Sequence, residues 1–267
     1  MCFEFNASPP ELPADLVVPR LAGGAAAEIL ELESADGTRF SAALAQVDGA
    51  QEPAIIVLPD VRGLYRFYVE LAERFAAAGR NAIAIDYFGR TAGVGERGED
   101  FDFMPHTLQT TIPTVHADIA AARDALREQT GAQSFVTVGF CFGGSQSFVA
   151  ATNPDLGLAG AIGFYGTLNP GRFAPGMEEK MPFPLAHVAQ TRVPVLGLFG
   201  GADEYIPAED IEAFDQALEQ AGVEHEVVTY EGAPHSFFDR SFDEHAEASA
   251  DAWRRVLGFL DRVPAAA

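Results

Sequence analysis

The chain has 267 residues, 48% of them hydrophobic and 10% aromatic, and its 17 basic and 39 acidic residues give a net charge of −22. This length and apolar content suit one globular domain with a sizeable core and exclude a disordered chain. The acidic surface excludes nucleic acid and anionic membranes as partners, because both are negatively charged.

The predicted cellular location depends on three features of the sequence: its first residues, its apolar runs and its cysteines. The first six residues lack the basic start and apolar stretch of a signal peptide, and no apolar run approaches the ~18 residues of a membrane span. Cys2 and Cys141 are the only two cysteines, and a disulfide between a chain terminus and a strand-to-helix turn is not expected. We therefore expect a cytoplasmic protein, with no prediction for its oligomeric state.

The N-terminal part of the chain predicts an arm followed by a hairpin. Residues 1–27 are rich in proline and alanine and predict an arm outside a single domain at residues 28–267. An alternating run at 28–33, a turn at Asp36-Gly37 and a second run at 40–45 predict two antiparallel strands.

Six later apolar runs predict buried parallel strands, and the amphipathic segments between them predict helices. The predicted fold is therefore α/β: a mostly parallel central sheet with an N-terminal antiparallel hairpin at its edge and helices on both faces. A glycine-rich, charged excursion at 86–108 is long enough to be functional. The predicted parallel strands lie at 54–58, 81–85, 134–138, 158–164, 193–199 and 226–230, and the long helices at 111–128, 208–221 and 246–260.

The motif Gly139-Phe140-Cys141-Phe142-Gly143 lies between a predicted strand and a predicted helix. Glycines on either side of a residue at this junction allow a sharp turn that exposes the central side chain, as in a nucleophile elbow. The free N–H groups of the following helix would lower the pKa of a thiol there. The alternative is a tight turn around a small buried cysteine.

Two further residues follow predicted strands and complete a possible triad. Asp203 comes just after the run at 193–199, and His235 just after the run at 226–230. The chain order of nucleophile, acid and histidine is that of the α/β-hydrolases. Taken singly, the aspartate would be read as a helix N-cap and the histidine as a surface residue.

With these motifs the sequence resembles the dienelactone hydrolases, the cysteine-nucleophile branch of the α/β-hydrolases. The resemblance extends from about residue 28 to residue 262 and implies an α/β-hydrolase fold and cleavage of esters or lactones. The matching segments are 58–63, 86–90, 139–144, 164–166, 200–207 and 234–237.

The predicted chemistry is nucleophilic catalysis through an acyl-enzyme. Cys141 attacks the carbonyl carbon, His235 receives and returns the proton, and Asp203 orients the imidazole. The backbone N–H groups of Phe142 and Val61 are expected to form the oxyanion hole.

The resemblance also implies roles for several flanking residues. The family has a thiol-activating glutamate where this chain has Asp60, one methylene shorter. Asp60 could activate Cys141 after a loop shift, His235 could activate it alone, or Asp60 could only cap the following loop. Arg90 and Arg240 fall at or near two of the family's substrate-binding arginines, whereas a third basic position falls among acidic residues of this chain.

Aromatic residues at the same strand ends, among them Tyr165 and Phe237, are expected to line an apolar substrate cleft. The histidines lack metal-ligand spacing and the glycine motif lacks dinucleotide spacing, so we predict no metal and no cofactor. The expected partner is a small ester or lactone. A thioesterase or acyltransferase on the same fold, or a catalytically silent small-ligand binder, remains an alternative.

Overall fold

The computed structural model describes residues 7–18, 26–169, 183–238 and 243–263. It contains one sheet of eight strands, in the order β1-β2-β4-β3-β5-β6-β7-β8. Within the described ranges, no helix combines the length and the apolar character needed to cross a membrane. The strands are β1 (Glu28–Glu33), β2 (Arg39–Ala45), β3 (Ala54–Leu58), β4 (Ala82–Ile85), β5 (Phe135–Phe140), β6 (Gly160–Phe164), β7 (Val195–Gly200) and β8 (His225–Tyr230).

The pairing of the strands confirms the predicted fold class. Strands β1 and β2 form the antiparallel hairpin at one edge, and β2 pairs antiparallel with β4. The remaining neighbours, from β4 through β3 to β8, all pair in parallel. The sheet is therefore mostly parallel, with the hairpin at its N-terminal edge.

The long helices follow the predicted segments within a few residues, and two one-turn helices lie inside the excursion. Helix α4 ends at Gly131, which has a left-handed φ of 77° and donates its N–H to Arg127. The helices are α1 (Arg66–Ala77), α2 (Gly89–Ala92), α3 (Met104–Thr107), α4 (Ile112–Thr130), α5 (Phe142–Ala150), α6 (Pro184–His187), α7 (Ala208–Gln220) and α8 (Ala246–Arg262).

Helices cover both faces of the sheet because successive side chains of each strand point to opposite faces. Ile55 and Val57 of β3 pack in the core that includes α1 and α8. Ile56, between them, packs in a second core that includes the inner face of α4. Each strand interior is thus apolar on both sides, as expected for a parallel sheet.

Part of the predicted arm packs against helices α1 and α8. The indole N–H of Trp253 in α8 donates to the carbonyl of Pro10 at 3.2 Å. The N–H of Val18 donates to the carbonyl of Ala77 at the end of α1, also at 3.2 Å. Residues 7–18 therefore bridge α1 and α8, whereas residues 1–6 and 19–25 of the arm lie outside the described residues.

The carboxyl ends of the parallel strands place the candidate residues along one edge of the sheet. The segments after β3, β5, β6, β7 and β8 carry Asp60, Cys141, Tyr165, Asp203 and His235 respectively. These five strands are consecutive neighbours in the sheet. In open α/β sheets this edge is where ligands bind.

Candidate active site

Cys141 occupies a strained turn between β5 and α5. Its φ of 53° and ψ of −113° lie in a region that non-glycine residues rarely adopt. A Cβ on Gly139 would lie 1.9 Å from the carbonyl oxygen of Gly143, so only glycine permits so tight a turn. The Cys141 N–H donates to the carbonyl of Phe164 at 3.0 Å, which fixes the turn against β6. The side chain is partly exposed.

Backbone strain is concentrated at this edge of the sheet. Among the described residues, the non-glycine residues with positive φ are Cys141, Tyr165 and Ser236. Each follows a parallel strand, and Ser236 is next to His235. Strained residues of this kind persist where the surrounding structure holds them, typically at functional sites.

The first turn of α5 lies against the loop that follows β3. A Cβ on Gly143 would lie 2.0 Å from the carbonyl oxygen of Leu58 and 2.3 Å from that of Pro59. This close approach brings the backbone of Phe142 beside the loop that carries Val61. The N-terminal N–H groups of a helix have no partner within the helix, so they are available to an anion.

His235 and Asp203 form a short, largely buried hydrogen bond. His235 Nδ1 lies 2.6 Å from Asp203 Oδ2, and the aspartate side chain has no exposed surface. Because a carboxylate can only accept, Nδ1 carries the proton and Nε2 is the atom left to exchange protons with other groups. This arrangement orients the imidazole as a triad requires.

Two tyrosine rings contact the His235 imidazole. The ring centre of Tyr165 lies 5.0 Å from that of His235, and the ring centre of Tyr205 lies 5.3 Å away. Tyr165 is fully buried, whereas Tyr205 is 49% exposed. The histidine therefore has one aromatic neighbour in the interior and one at the surface.

Asp60 is fully buried and is paired with Arg62. Its Oδ1 accepts from the backbone N–H of Arg62 at 2.9 Å and from Nε at 3.1 Å, and its Oδ2 accepts from the guanidinium at 2.7 Å. Burial opposes the charge on Arg62, but the hydrogen bonds to Asp60 outweigh it and raise the pKa of the guanidinium. The backbone bond is the loop cap that the sequence allows as one role of Asp60.

Two buried tyrosines hold the same loop, and sequence reasoning missed this role for both. Tyr68 accepts the N–H of Asp60 at 3.0 Å, and Tyr87 donates to the carbonyl of Pro59 at 2.8 Å. Burial raises the pKa of both phenols well above the ordinary value, so each remains a neutral donor and acceptor. The periodicity of α1 predicts that Tyr68 is buried but gives no partner for its hydroxyl.

The buried side chain of Asp86 fixes the excursion at 86–108 to the loop after β3. Asp86 accepts from Arg97 at 2.7 Å through Oδ2, and from the N–H of Leu64 at 3.2 Å through Oδ1. Gly63 has a φ of 77°, and a Cβ there would lie 2.5 Å from Asp86 Oδ1. Asp86 therefore connects the excursion to the segment that follows Val61.

Of the two arginines expected to bind substrate, Arg90 is not brought into this arrangement. The Arg90 guanidinium pairs with Asp118 at 2.7 Å and with Asp36 at 2.9 Å, beside the β1–β2 hairpin. Asp36 lies in the turn of the hairpin and Asp118 lies in α4, so Arg90 connects the hairpin to α4. Arg240 lies outside the described residues.

The two aromatic residues expected to line the cleft are buried more deeply than a cleft requires. Phe237 and Tyr165 each have 0% exposed surface. Their rings contact each other at 5.6 Å, and Phe237 also contacts Tyr230 at 4.9 Å. Neither ring presents a surface to a ligand in this structure, because neighbouring aromatic rings cover both.

The described residues also contain no group of three or more His, Cys, Asp or Glu side chains that could hold a metal ion.

Comparison with known proteins decides the family. The profile of the dienelactone hydrolase family matches residues 40–263, most of the chain. The chain belongs to the dienelactone hydrolase family. Membership makes it a hydrolase of the ester and lactone class on an α/β-hydrolase fold, as the sequence motifs indicate.

Relatives of this hydrolase carry names of the same class. It is 32% identical over 217 residues to a Yersinia pestis protein with the provisional name carboxymethylenebutenolidase, covering 78% of this chain and 77% of the relative. It is 28% identical over 216 residues to a Bradyrhizobium protein named as a probable 2-oxo-3-(5-oxofuran-2-ylidene)propanoate lactonase, covering 78% and 83%. A crystal structure from Klebsiella pneumoniae, described as a provisional dienelactone hydrolase, matches with a TM-score of 0.73 and 27% identity, covering 88% of this chain and 99% of that one.

Proposed function

We propose that this dienelactone hydrolase family member cleaves small esters or lactones through a Cys141–His235–Asp203 triad and an acyl-enzyme. The observation that carries the proposal is the 2.6 Å bond between His235 Nδ1 and Asp203 Oδ2, at the same sheet edge as a cysteine held at positive φ. A buried carboxylate that orients a histidine, next to a strained turn with a nucleophile, is the arrangement of a triad.

In the first step the Cys141 thiol gives its proton to His235 Nε2, and the resulting thiolate attacks the carbonyl carbon of the substrate. Asp203 stabilises the imidazolium that forms. The ester C–O bond then breaks, and Nε2 returns the proton to the departing oxygen. The product of this step is a thioester between the acyl group and Cys141.

The oxyanion formed by the attack needs donors that are fixed in advance. Support comes from the close approach of Gly143 to Leu58, because it brings the Phe142 backbone next to the Val61 loop. Each such N–H contributes on the order of 3 kcal/mol of transition-state stabilisation.

In the second step water attacks the thioester carbonyl. His235 Nε2 takes a proton from the water, and the same two N–H groups stabilise the second oxyanion. The C–S bond breaks, the acid leaves, and Nε2 gives its proton to the departing Cys141 sulfur, which restores the thiol and the neutral histidine. For a lactone, alcohol and acid belong to one molecule, so the product is a hydroxy acid or its keto tautomer.

We assign the substrate as neutral rather than anionic. The three arginines in the loops after β3 and β4, namely Arg62, Arg90 and Arg97, each pair with a buried carboxylate. A substrate carboxylate that leaves water needs a cation to itself. Within the described part of these loops, each guanidinium charge is already compensated.

The test is a hydrolysis screen across aryl esters, lactones and thioesters with the wild type and with Cys141→Ala. We expect turnover of esters or lactones by the wild type and a loss of at least about a thousandfold in Cys141→Ala, as is typical when a triad nucleophile is removed. Cys2→Ala, which removes the chain's other thiol, is the matched control and should keep full activity.

Three results would overturn the proposal. Retained activity in Cys141→Ala would reject the nucleophile. A wild type inactive on every substrate would favour a silent ligand binder. A strong preference for thioesters would assign the site to a thioesterase instead.

A further inference from the structure

The triad histidine is held by one carboxylate that also fixes an exposed tyrosine. Asp203 Oδ2 accepts from His235 Nδ1 at 2.6 Å, while Asp203 Oδ1 accepts the backbone N–H of Tyr205 at 2.8 Å. The next residue, Ile206, is 3% exposed and anchors the segment in the core. The backbone of Tyr205 is therefore fixed relative to His235, although 49% of the residue is exposed.

The ring of Tyr205 is directed at the imidazole. The two ring centres lie 5.3 Å apart with an interplanar angle of 72°, an edge-to-face arrangement. Aromatic pairs favour this geometry because the positive edge of one ring meets the negative face of the other.

The same contact protects the orientation of the imidazole. Tyr165 contacts the ring of His235 from the interior at 5.0 Å, and Tyr165 is itself fixed by an N–H bond to Leu198 at 2.7 Å. On the exposed side, Tyr205 is the aromatic neighbour of His235. Loss of its ring would let the imidazole rotate toward solvent about the bond to Asp203.

We propose that Tyr205 is a positioning residue for His235: its ring holds the imidazole in the orientation from which Nε2 exchanges a proton with Cys141. The inference rests on the proposed function of His235. Among the described residues, titratable side chains that contact the imidazole include Asp203 and Tyr165, and the proposed mechanism adds Cys141. Glu204 and Glu231 lie in the same two loops and are exposed.

The test compares Tyr205→Leu, which removes the ring, with Tyr205→Phe, which keeps the ring and removes only the hydroxyl. Both are made in a Cys2→Ala background, so that Cys141 is the single thiol. The first measurement is the rate of Cys141 alkylation by iodoacetamide as a function of pH, which requires no turnover. The second is kcat and KM on the best ester or lactone substrate.

We expect Tyr205→Phe to match the parent within about twofold in both measurements, because the ring that contacts the imidazole is retained. In Tyr205→Leu the imidazole is no longer held in the orientation that pairs it with the thiolate, so the midpoint of alkylation should move to higher pH by about 0.5 unit. Its kcat should fall about threefold to tenfold with little change in KM, since the ring acts through His235.

Several results would overturn the inference. Tyr205→Leu could behave like the parent, or Tyr205→Phe could be as defective as Tyr205→Leu. A rise in KM at constant kcat would make Tyr205 a substrate contact instead. A wild type with no hydrolytic activity but with the expected alkylation shift would reject the proposed function and leave the positioning role standing.

Discussion

At the scale of single residues, Asp60 is the position where family resemblance and structure lead to different roles. The resemblance places a thiol-activating carboxylate here. In the structure both carboxylate oxygens are bonded to Arg62, whose guanidinium also contacts the ring and hydroxyl of Tyr65. Because both oxygens of Asp60 are engaged by Arg62, we propose that His235 and the N-terminus of α5 activate the thiol.

We predict that Asp60→Asn leaves the rate of Cys141 alkylation at neutral pH within about twofold of the wild type, because Asn keeps the loop-capping oxygen and the compensated charge contributes little. The measurement is alkylation by iodoacetamide in a Cys2→Ala background. His235→Asn is the reference for a true activating residue and should slow the reaction strongly.

A slowing in Asp60→Asn comparable to that in His235→Asn would contradict this assignment. Asp60 would then have to leave Arg62 and ionise Cys141 directly. The kcat of Asp60→Asn tests the loop-capping role separately, because a less fixed Val61 loop would lower kcat without changing the alkylation rate of Cys141.

At the scale of elements, the excursion at 86–108 contacts the loop that carries Val61, the proposed oxyanion donor. Asp86, fully buried at the end of β4, bonds Arg97 within the excursion and the N–H of Leu64 in the loop. Thr107 in α3 donates to the carbonyl of Val61 at 3.3 Å. A buried charge pair that loses one partner leaves the other charge uncompensated, which is strongly destabilising.

We predict that Arg97→Met lowers the free energy of unfolding by about 3–5 kcal/mol, because Asp86 then stays buried without its cation. The folded fraction should show reduced kcat, since the loop with Val61 is less fixed, but an unchanged alkylation rate of Cys141. Urea unfolding and steady-state kinetics measure the two effects.

The control is the double variant Asp86→Asn with Arg97→Met, which removes the unpaired charge and should recover much of the stability. If folded Arg97→Met kept its full kcat, the excursion would have no role in positioning the oxyanion loop.

The elements themselves were largely predictable, because the interior parallel strands are apolar runs, β1 alternates between polar and apolar residues, and α4 ends at a recognisable signal, Gly131. The elbow was predictable from glycine spacing. The partners of charged side chains were not predictable. Arg90 pairs with Asp36 and Asp118, which are 54 and 28 residues away in the sequence, and no local sequence pattern specifies either partner. The same holds for the hydroxyl of Tyr87 and for the depth at which Phe237 is buried.

At the scale of the whole molecule, charge bears on which substrates approach the site. The net charge of −22 repels anions at low salt, and the local arginines of the loops after β3 and β4 are paired with carboxylates. Long-range repulsion is screened within about 10 Å at 0.1 M salt. Added salt does not supply the unpaired cation that the described loops after β3 and β4 lack.

We predict a higher kcat/KM for a neutral aryl ester than for a carboxylated dienelactone at moderate salt, because the carboxylate finds no unpaired guanidinium in the described loops. Raising the salt concentration should narrow the difference only partly. A large preference for the dienelactone that is lost in Arg240→Ala but kept in Arg90→Ala would contradict the prediction and assign Arg240 to substrate binding.

The positive φ of Cys141 affects which substitutions would stabilise the protein. Glycine adopts positive φ without strain, so the fold would be more stable with glycine at position 141, without its proposed nucleophile. Stability and catalysis are therefore opposed at this residue. Selection of variants for thermal stability alone could therefore replace the cysteine. A screen for more stable variants should measure hydrolytic activity together with melting temperature.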